Sequence, residues 1–351
     1  MTTCHLKEHI LSGGYCAVTI ENELLSVTLL PDKGADIYSL IYKPRDLDVL
    51  WKSPAGLRPK GAGIETSSGD SHVSWLDHYE GGWQGIFPNG GSACSYKGAP
   101  LSFHGEASVS AWDYRIVSKS ASKITVEFTV NLARSPFKLV RLVTVESRLA
   151  RVVMEEKITN TAEEEMHYMW GHHPALGAPF IDAGCRLHVP ARGVETHDVE
   201  IATSRILPGV SGSWPMLNGR DEQTIDLSVM PSRDQRISEL HYISELQDGW
   251  YGITNSKYNL GFGLVWPKEV FQYLWYWLEL KGSFGYPWYG RSYVMALEPF
   301  TSVPGNGLER AIEKGTAPVL GPQESIEARV VATFFEPPDE INSISADGFV
   351  S

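Results

Sequence analysis

Residues 124–130 read ITVEFTV, and the reading of that stretch decides the fold class. Ile124, Val126, Phe128 and Val130 are apolar, while Thr125, Glu127 and Thr129 between them are polar. Successive side chains of a strand point to opposite faces, so one face meets a core and the other meets water. That is the pattern of an antiparallel strand. Working outward, residues 15–30 (YCAVTIENELLSVTLL) break into two similar runs around Glu21, Asn22 and Glu23, a hairpin-like arrangement. Residues 139–146 and 151–159 make a second pair around residues 147–150, and Ile326, Ala328, Val330, Ala332 and Phe334 alternate again. The 33 glycines and 21 prolines supply many turns. Short strands separated by turn clusters predict an all-β sandwich or barrel. There is no long amphipathic helix and no repeat of fixed period.

The 351 residues are 42% hydrophobic and 21% charged, an ordinary balance for a folded chain. Nothing in composition marks a linker, so residues 1–335 are expected to form one domain. The Pro-led acidic stretch 336–351 (EPPDEINSISADGFVS) is expected to be a flexible tail. Residues 53–100, rich in Gly, Ser, Pro and His, read as long loops. The formal net charge of −12 disfavours nucleic acid and anionic membrane surfaces as partners. Four scattered cysteines offer neither a disulfide framework nor a thiolate zinc site. The N-terminal MTTCHLKEHILSGGY lacks the apolar core of a signal peptide, so the cytoplasm is the expected compartment, as monomer or homodimer. The 11 tryptophans and 15 tyrosines suit contacts with sugars.

Three stretches carry candidate chemistry. In GHHP at 171–174, adjacent histidines on an extended chain face opposite ways, so only one can serve a given pocket. Pro174 biases His173 towards extended geometry. Taken alone, the pair can equally be a surface or core-lining pair without a role. In YVMALEPF at 293–300, five largely apolar residues precede Glu298, so the strand is expected to end on a carboxylate at the rim of a core. Burial there raises a carboxyl pKa, which suits acid–base work, although an ordinary strand-end ion pair is the better reading of Glu298 by itself. The third stretch, GWQGIFPNGG at 82–91 followed by SFHGEAS at 102–108, is glycine-rich but lacks nucleotide-binding spacing.

In this order the three stretches resemble the galactose mutarotase-like superfamily, the aldose 1-epimerases and their relatives, over residues 15–335. LPDKGADIYSL at 30–40 and DVLW at 48–51 are similar to that family's early strand segments. The resemblance implies a large antiparallel β-supersandwich with an open cleft on a concave sheet. It implies His173 as general acid, Glu298 as general base and His104 as the other active-site histidine. Many relatives carry arginines just after the Phe-Pro motif and two residues after the His-Gly motif. Here those places hold Gly91-Ser92 and Ala107-Ser108, with Glu106 beside them, in the manner of a less-characterised branch.

The implied activity is interconversion of sugar anomers, which needs one acid and one base about the anomeric carbon, with no cofactor and no metal. Glu106, Trp277 and Arg291 are the expected substrate-binding residues. Trp277 offers a ring face from the run 273–277, and Arg291 can reach the cleft from a loop. Two other readings stay open. One is a different sugar isomerase or lyase, metal-dependent through His72, His78 and His104. The other is a non-catalytic carbohydrate-binding protein on the same scaffold.

Overall fold

The computed structural model describes residues 3–61 and 69–351. Two large antiparallel sheets dominate it, of twelve and eight strands. The smaller runs Cys185–His188, Trp250–Asn255, Leu260–Val265, Ser325–Phe335, Arg151–Asn160, Phe137–Glu146, Lys123–Asn131, Asp113–Lys119. The larger begins with the meander His5–Ile10, Cys16–Glu21, Leu25–Leu30, Asp36–Tyr42. It continues through Trp83–Ile86, Gly171–Gly177, Tyr293–Phe300, Tyr273–Leu280 and Ile237–Ser244 to short edge strands at Gly193–Thr196 and Ser211–Ser213, and the two-residue strand Leu47–Asp48 pairs off the path with Asp36–Tyr42.

The alternation at 124–130 does what its pattern dictates. Val126 and Phe128 are fully buried in the core between the sheets, with Val18, Val27, Leu176, Leu297 and Leu278. Each such side chain contributes roughly 1.5–3 kcal/mol when removed from water. On the reverse face Glu127 pairs with Arg115 at 2.6 Å, and Thr125 shares a hydroxyl bond with Thr144 at 2.9 Å. The central strands of the larger sheet are covered on both faces. Met295 and Leu297 enter the core between the sheets, whereas Val294 and Phe300 meet separate aromatic clusters on the far side. That far side carries the candidate site.

Three expectations need revision. Residues 53–100 are not all loop: the described part holds a helix, Ser71–Asp77, a sheet strand, Trp83–Ile86, and a short hairpin, Cys94–Tyr96 with Ala99–Leu101. Residues 62–68 of that stretch lie outside the described residues. The strand containing Glu298 runs on to Phe300, so the carboxylate sits inside it rather than at its end. The stretch 336–351 packs down instead of trailing free. Ile341 and Ile344 join Val153, Val265 and Val331 on the outer face of the eight-stranded sheet, and Arg329 holds the Asp347 carboxylate at 3.0 Å. Those two isoleucines cover apolar side chains that would otherwise face water. No helix among the described residues is long and apolar enough to cross a membrane.

Candidate active site

Strand Gly171–Gly177 pairs with Tyr293–Phe300 so that Gly171 faces Phe300 and Ala175 faces Ala296. That register sets His173 opposite Glu298, on the same face, as cross-strand neighbours. His173 Nε2 lies 3.6 Å from Glu298 Oε1, and Glu298 Oε2 has no hydrogen-bond partner among the described residues. Gly171 permits the close approach, since a Cβ there would fall 2.4 Å from the Phe300 ring. His172 takes the opposite face, as alternation requires. Its Nε2 is 2.8 Å from Glu156, its Nδ1 accepts from the Trp83 indole at 3.2 Å, and Glu156 in turn accepts from Arg141.

His104 arrives from a loop. Its φ is +56°, and Gly105 follows at +72°. The reversed turn clasps Gly91, whose N–H donates to His104 Nδ1 at 3.1 Å while its carbonyl accepts from the His104 N–H at 3.0 Å. Gly91 itself has φ +73° and would place a Cβ 1.8 Å from the Gly305 carbonyl oxygen, so only glycine fits. The His104 and His173 rings stand 5.8 Å apart.

Aromatic side chains close over these groups. The helix Ser71–Asp77 starts where the Asp70 carboxylate accepts from the His72 N–H at 2.8 Å, an N-cap. It lays Trp75 against His104 at 4.8 Å and His173 at 6.2 Å between ring centroids, with the Trp75 indole donating to Ser108 Oγ. Tyr79 stacks on Trp75 and stands edge-on to His173. Trp277 completes the wall, 5.7 Å from His173. His173, Glu298 and His104 are consequently only 5%, 2% and 7% exposed, so this conformation shields the site from solvent. A cavity of about 1090 Å³ runs past Trp75 and Phe103, yet neither His173 nor Glu298 lines it.

Burial sets the ionisation. It pushes the His173 imidazole down to about 4, and it holds the Glu298 carboxyl well above the usual carboxylate range. His104 is also driven well below its ordinary value, by burial first and by the neighbouring His173 second. Burial thus favours the neutral form of each partner, imidazole and carboxylic acid. Transfer of the carboxyl proton to His173 would convert that neutral pair into a carboxylate and an imidazolium without any exchange with solvent.

The structure thus gathers His173, Glu298, His104 and Trp277, and of the other expected substrate contacts it commits Glu106 to different partners. Glu106 turns away: its Oε1 accepts from the Ser135 N–H and hydroxyl, and its Oε2 from the N–H groups of Ala133 and Arg134. Four donors saturate that carboxylate and make it the anchor of a loop. Arg291 is exposed, with its guanidinium 5.7 Å above the Tyr289 ring. His72 packs on Phe103 and His78 Nδ1 bonds the Ser74 carbonyl. Among the described residues no three His, Cys, Asp or Glu side chains converge as metal ligands. Trp75 and Tyr79 escaped the sequence reading. Their signal was an Asp70 cap followed by two aromatics four residues apart, which is one helical face.

A family profile described as a domain of unknown function, DUF4432, matches residues 12–333. The chain belongs to the DUF4432 family. No curated protein matches this DUF4432 chain by sequence. Its fold is shared with solved structures at low identity. A proposed aldose 1-epimerase from Klebsiella pneumoniae superposes with a TM-score of 0.74 at 16% identity, over 95% of this chain and 84% of that one. A galactose mutarotase-like protein from Clostridium acetobutylicum gives 0.66 at 15% identity, over 95% and 99%. A proposed mutarotase from Salmonella typhimurium gives 0.65 at 12%, over 95% and 94%. The DUF4432 chain therefore has the galactose mutarotase-like β-sandwich fold.

Proposed function

We propose that the protein interconverts the α and β anomers of a cyclic sugar by opening and reclosing its ring. The observation that carries this reading is the cross-strand pair of His173 and Glu298, buried, 3.6 Å apart and walled by aromatic rings. Glu298 as carboxylate takes the proton of the anomeric hydroxyl, and His173 as imidazolium delivers one to the ring oxygen. The C1–O5 bond breaks as the C1–O1 carbonyl forms. The aldehyde rotates about C1–C2, and the O5 hydroxyl attacks the other face of C1. Its proton returns to His173, while Glu298 returns a proton to O1, so both groups end as they began. His104, with Nδ1 occupied by Gly91, is left with an Nε2–H donor for a sugar hydroxyl or the ring oxygen. Trp277 offers its face to sugar C–H groups. A proton NMR time course of a freshly dissolved α-anomer, run with catalytic protein, tests the reading. Accelerated anomer exchange supports it. Sugar binding without acceleration points to a binding protein instead.

Two expectations follow. The preferred sugar is unphosphorylated, because a phosphate dianion calls for a fork of N–H donors. Nearby cations are committed elsewhere: Lys33 to Asp36 and Glu80 at 3.1 and 2.7 Å, and Arg134 to Pro100 and Ser102. Gly91 has no room for a side chain. A free hexose should show a higher kcat/KM than its 6-phosphate at equal salt. A tenfold preference for the phosphate, about 1.4 kcal/mol, would overturn this. The reaction as written needs only a proton donor and a proton acceptor, so exhaustive chelation should leave the rate unchanged. Activity lost to chelation and restored by a divalent cation would shift the reading to metal-dependent sugar chemistry.

A further inference from the structure

The row of side chains that holds His173 and Glu298 continues across the sheet. Strand Trp83–Ile86 pairs with Gly171–Gly177 so that Gln84 faces His173, and it meets Asp36–Tyr42 where Ile37 faces Trp83, which sets Asp36 beside Gln84. Residues directly opposite share a face. Asp36, Gln84, His173 and Glu298 therefore stand in line on the site side of the sheet, and Trp275 follows beyond Glu298. Gln84 is fully buried. Its Nε2 donates to the Gly81 carbonyl at 2.7 Å and to Asp36 Oδ2 at 3.3 Å. A backbone carbonyl can only accept, so the amide cannot be reversed, and both its hydrogens are spent. Oε1 is left as a neutral acceptor with no partner among the described residues. On the other flank of the pair, the Trp275 indole is spent on the Ser302 carbonyl at 2.9 Å.

We infer that Gln84 is a specificity-determining residue whose Oε1 accepts a hydrogen bond from the C6 hydroxyl of a hexopyranose. The inference rests on the roles given above to Glu298 and His173, and the order along the row decides which hydroxyl is meant. Glu298 serves O1 and His173 serves O5. The line of sugar atoms from O1 through C1 to O5 continues to C5 and its exocyclic CH2OH, whereas C2 branches off before O5 is reached. Gln84, next in the row beyond His173, meets that exocyclic group. A hydroxyl in a shielded site needs an acceptor, and a site built to bond one rejects the analogue that lacks it, because its own polar group then stays unpaired. A 6-phosphate fails here too, since its oxygens would meet Oε1 and, behind it, the Asp36 carboxyl. The expected substrates are hexoses with a free C6 hydroxyl, ahead of 6-deoxyhexoses and pentoses.

Anomer-exchange NMR on matched sugars tests this: D-galactose against D-fucose, D-glucose against 6-deoxy-D-glucose, and D-mannose against D-rhamnose. In the pair turned over fastest, wild type should favour the hexose in kcat/KM by about tenfold or more. In Gln84→Met, which keeps the length of the side chain without its amide, the ratio should fall below about threefold, chiefly through loss on the hexose. Gln84→Glu retains an acceptor oxygen and should keep the preference. A purely structural role would slow both sugars of a pair alike and leave their ratio untouched. A wild-type ratio near one overturns the proposal without any variant. So does an unchanged ratio in Gln84→Met, or loss of the preference in Gln84→Glu. If no aldose exchanges faster than in buffer, the same pairs are compared by isothermal titration. A tenfold gap in binding that closes in Gln84→Met then keeps the Gln84 contact and removes the mutarotase reading, and the absence of a gap removes both.

Discussion

Glu298→Gln and His173→Asn are each expected to slow anomer exchange by 100-fold or more, about 2.7 kcal/mol of lost transition-state stabilisation, while the protein stays folded. Both replacements nearly preserve shape. Glutamine fills the site of Glu298 but cannot take up the anomeric proton, and asparagine in place of His173 cannot deliver one to the ring oxygen. Losing a proton donor or acceptor lowers kcat and kcat/KM together, because the group acts in the transition state and not in holding the ground state. The double variant should be little worse than either single one, since the two groups act as one relay. His172→Asn is the control. That imidazole faces Glu156 and Trp83 on the core side, so its loss should be felt in unfolding and far less in turnover. NMR rates on the four purified proteins decide the matter. Equal losses of kcat at 172 and 173 would show that the other histidine serves the site.

Sequence pattern reaches far in some parts of this molecule and fails for physical reasons in others. Strand alternation is a local property, so the runs at 16–21, 25–30, 123–131 and 325–335 could be read residue by residue. The same rule required His172 and His173 to part, since neighbours on a strand face opposite ways, and the family resemblance then singled out His173. Glu106 was misread because two residues of positive φ, His104 and Gly105, precede it and reverse the chain. Adjacency in sequence then no longer means adjacency in the cleft. The covering helix was missed because seven residues are too few to display a period against a glycine- and serine-rich background. The C-terminal stretch misled for another reason. Average composition says polar, but two well-placed isoleucines suffice to pin it to an apolar sheet face.

The second large effect concerns stability. Glu156→Ala should cost about 3–5 kcal/mol, because it strands the Arg141 guanidinium in the core behind the site. Arg141 is 4% exposed and Glu156 7%. The arginine Nε donates to Glu156 at 2.5 Å, and its other contacts are the Ala35 carbonyl at 3.2 Å and the Trp112 ring. Burial alone would raise the Glu156 pKa, but the Arg141 charge and His172 outweigh it and bring the carboxyl down to about 2. A depressed carboxylate stabilises the fold above its unfolded value, near 4.5, and that contribution fades as pH falls towards about 2. Urea unfolding at pH 7 should therefore show the full penalty, and the gap between wild type and Glu156→Ala should narrow between pH 4.5 and 2. Pairing the change with Arg141→Met should recover much of the loss, since an apolar pair leaves no orphaned charge. A penalty below about 1 kcal/mol at pH 7, or one that does not shrink in acid, would mean that water reaches Arg141 and that the pair holds nothing together.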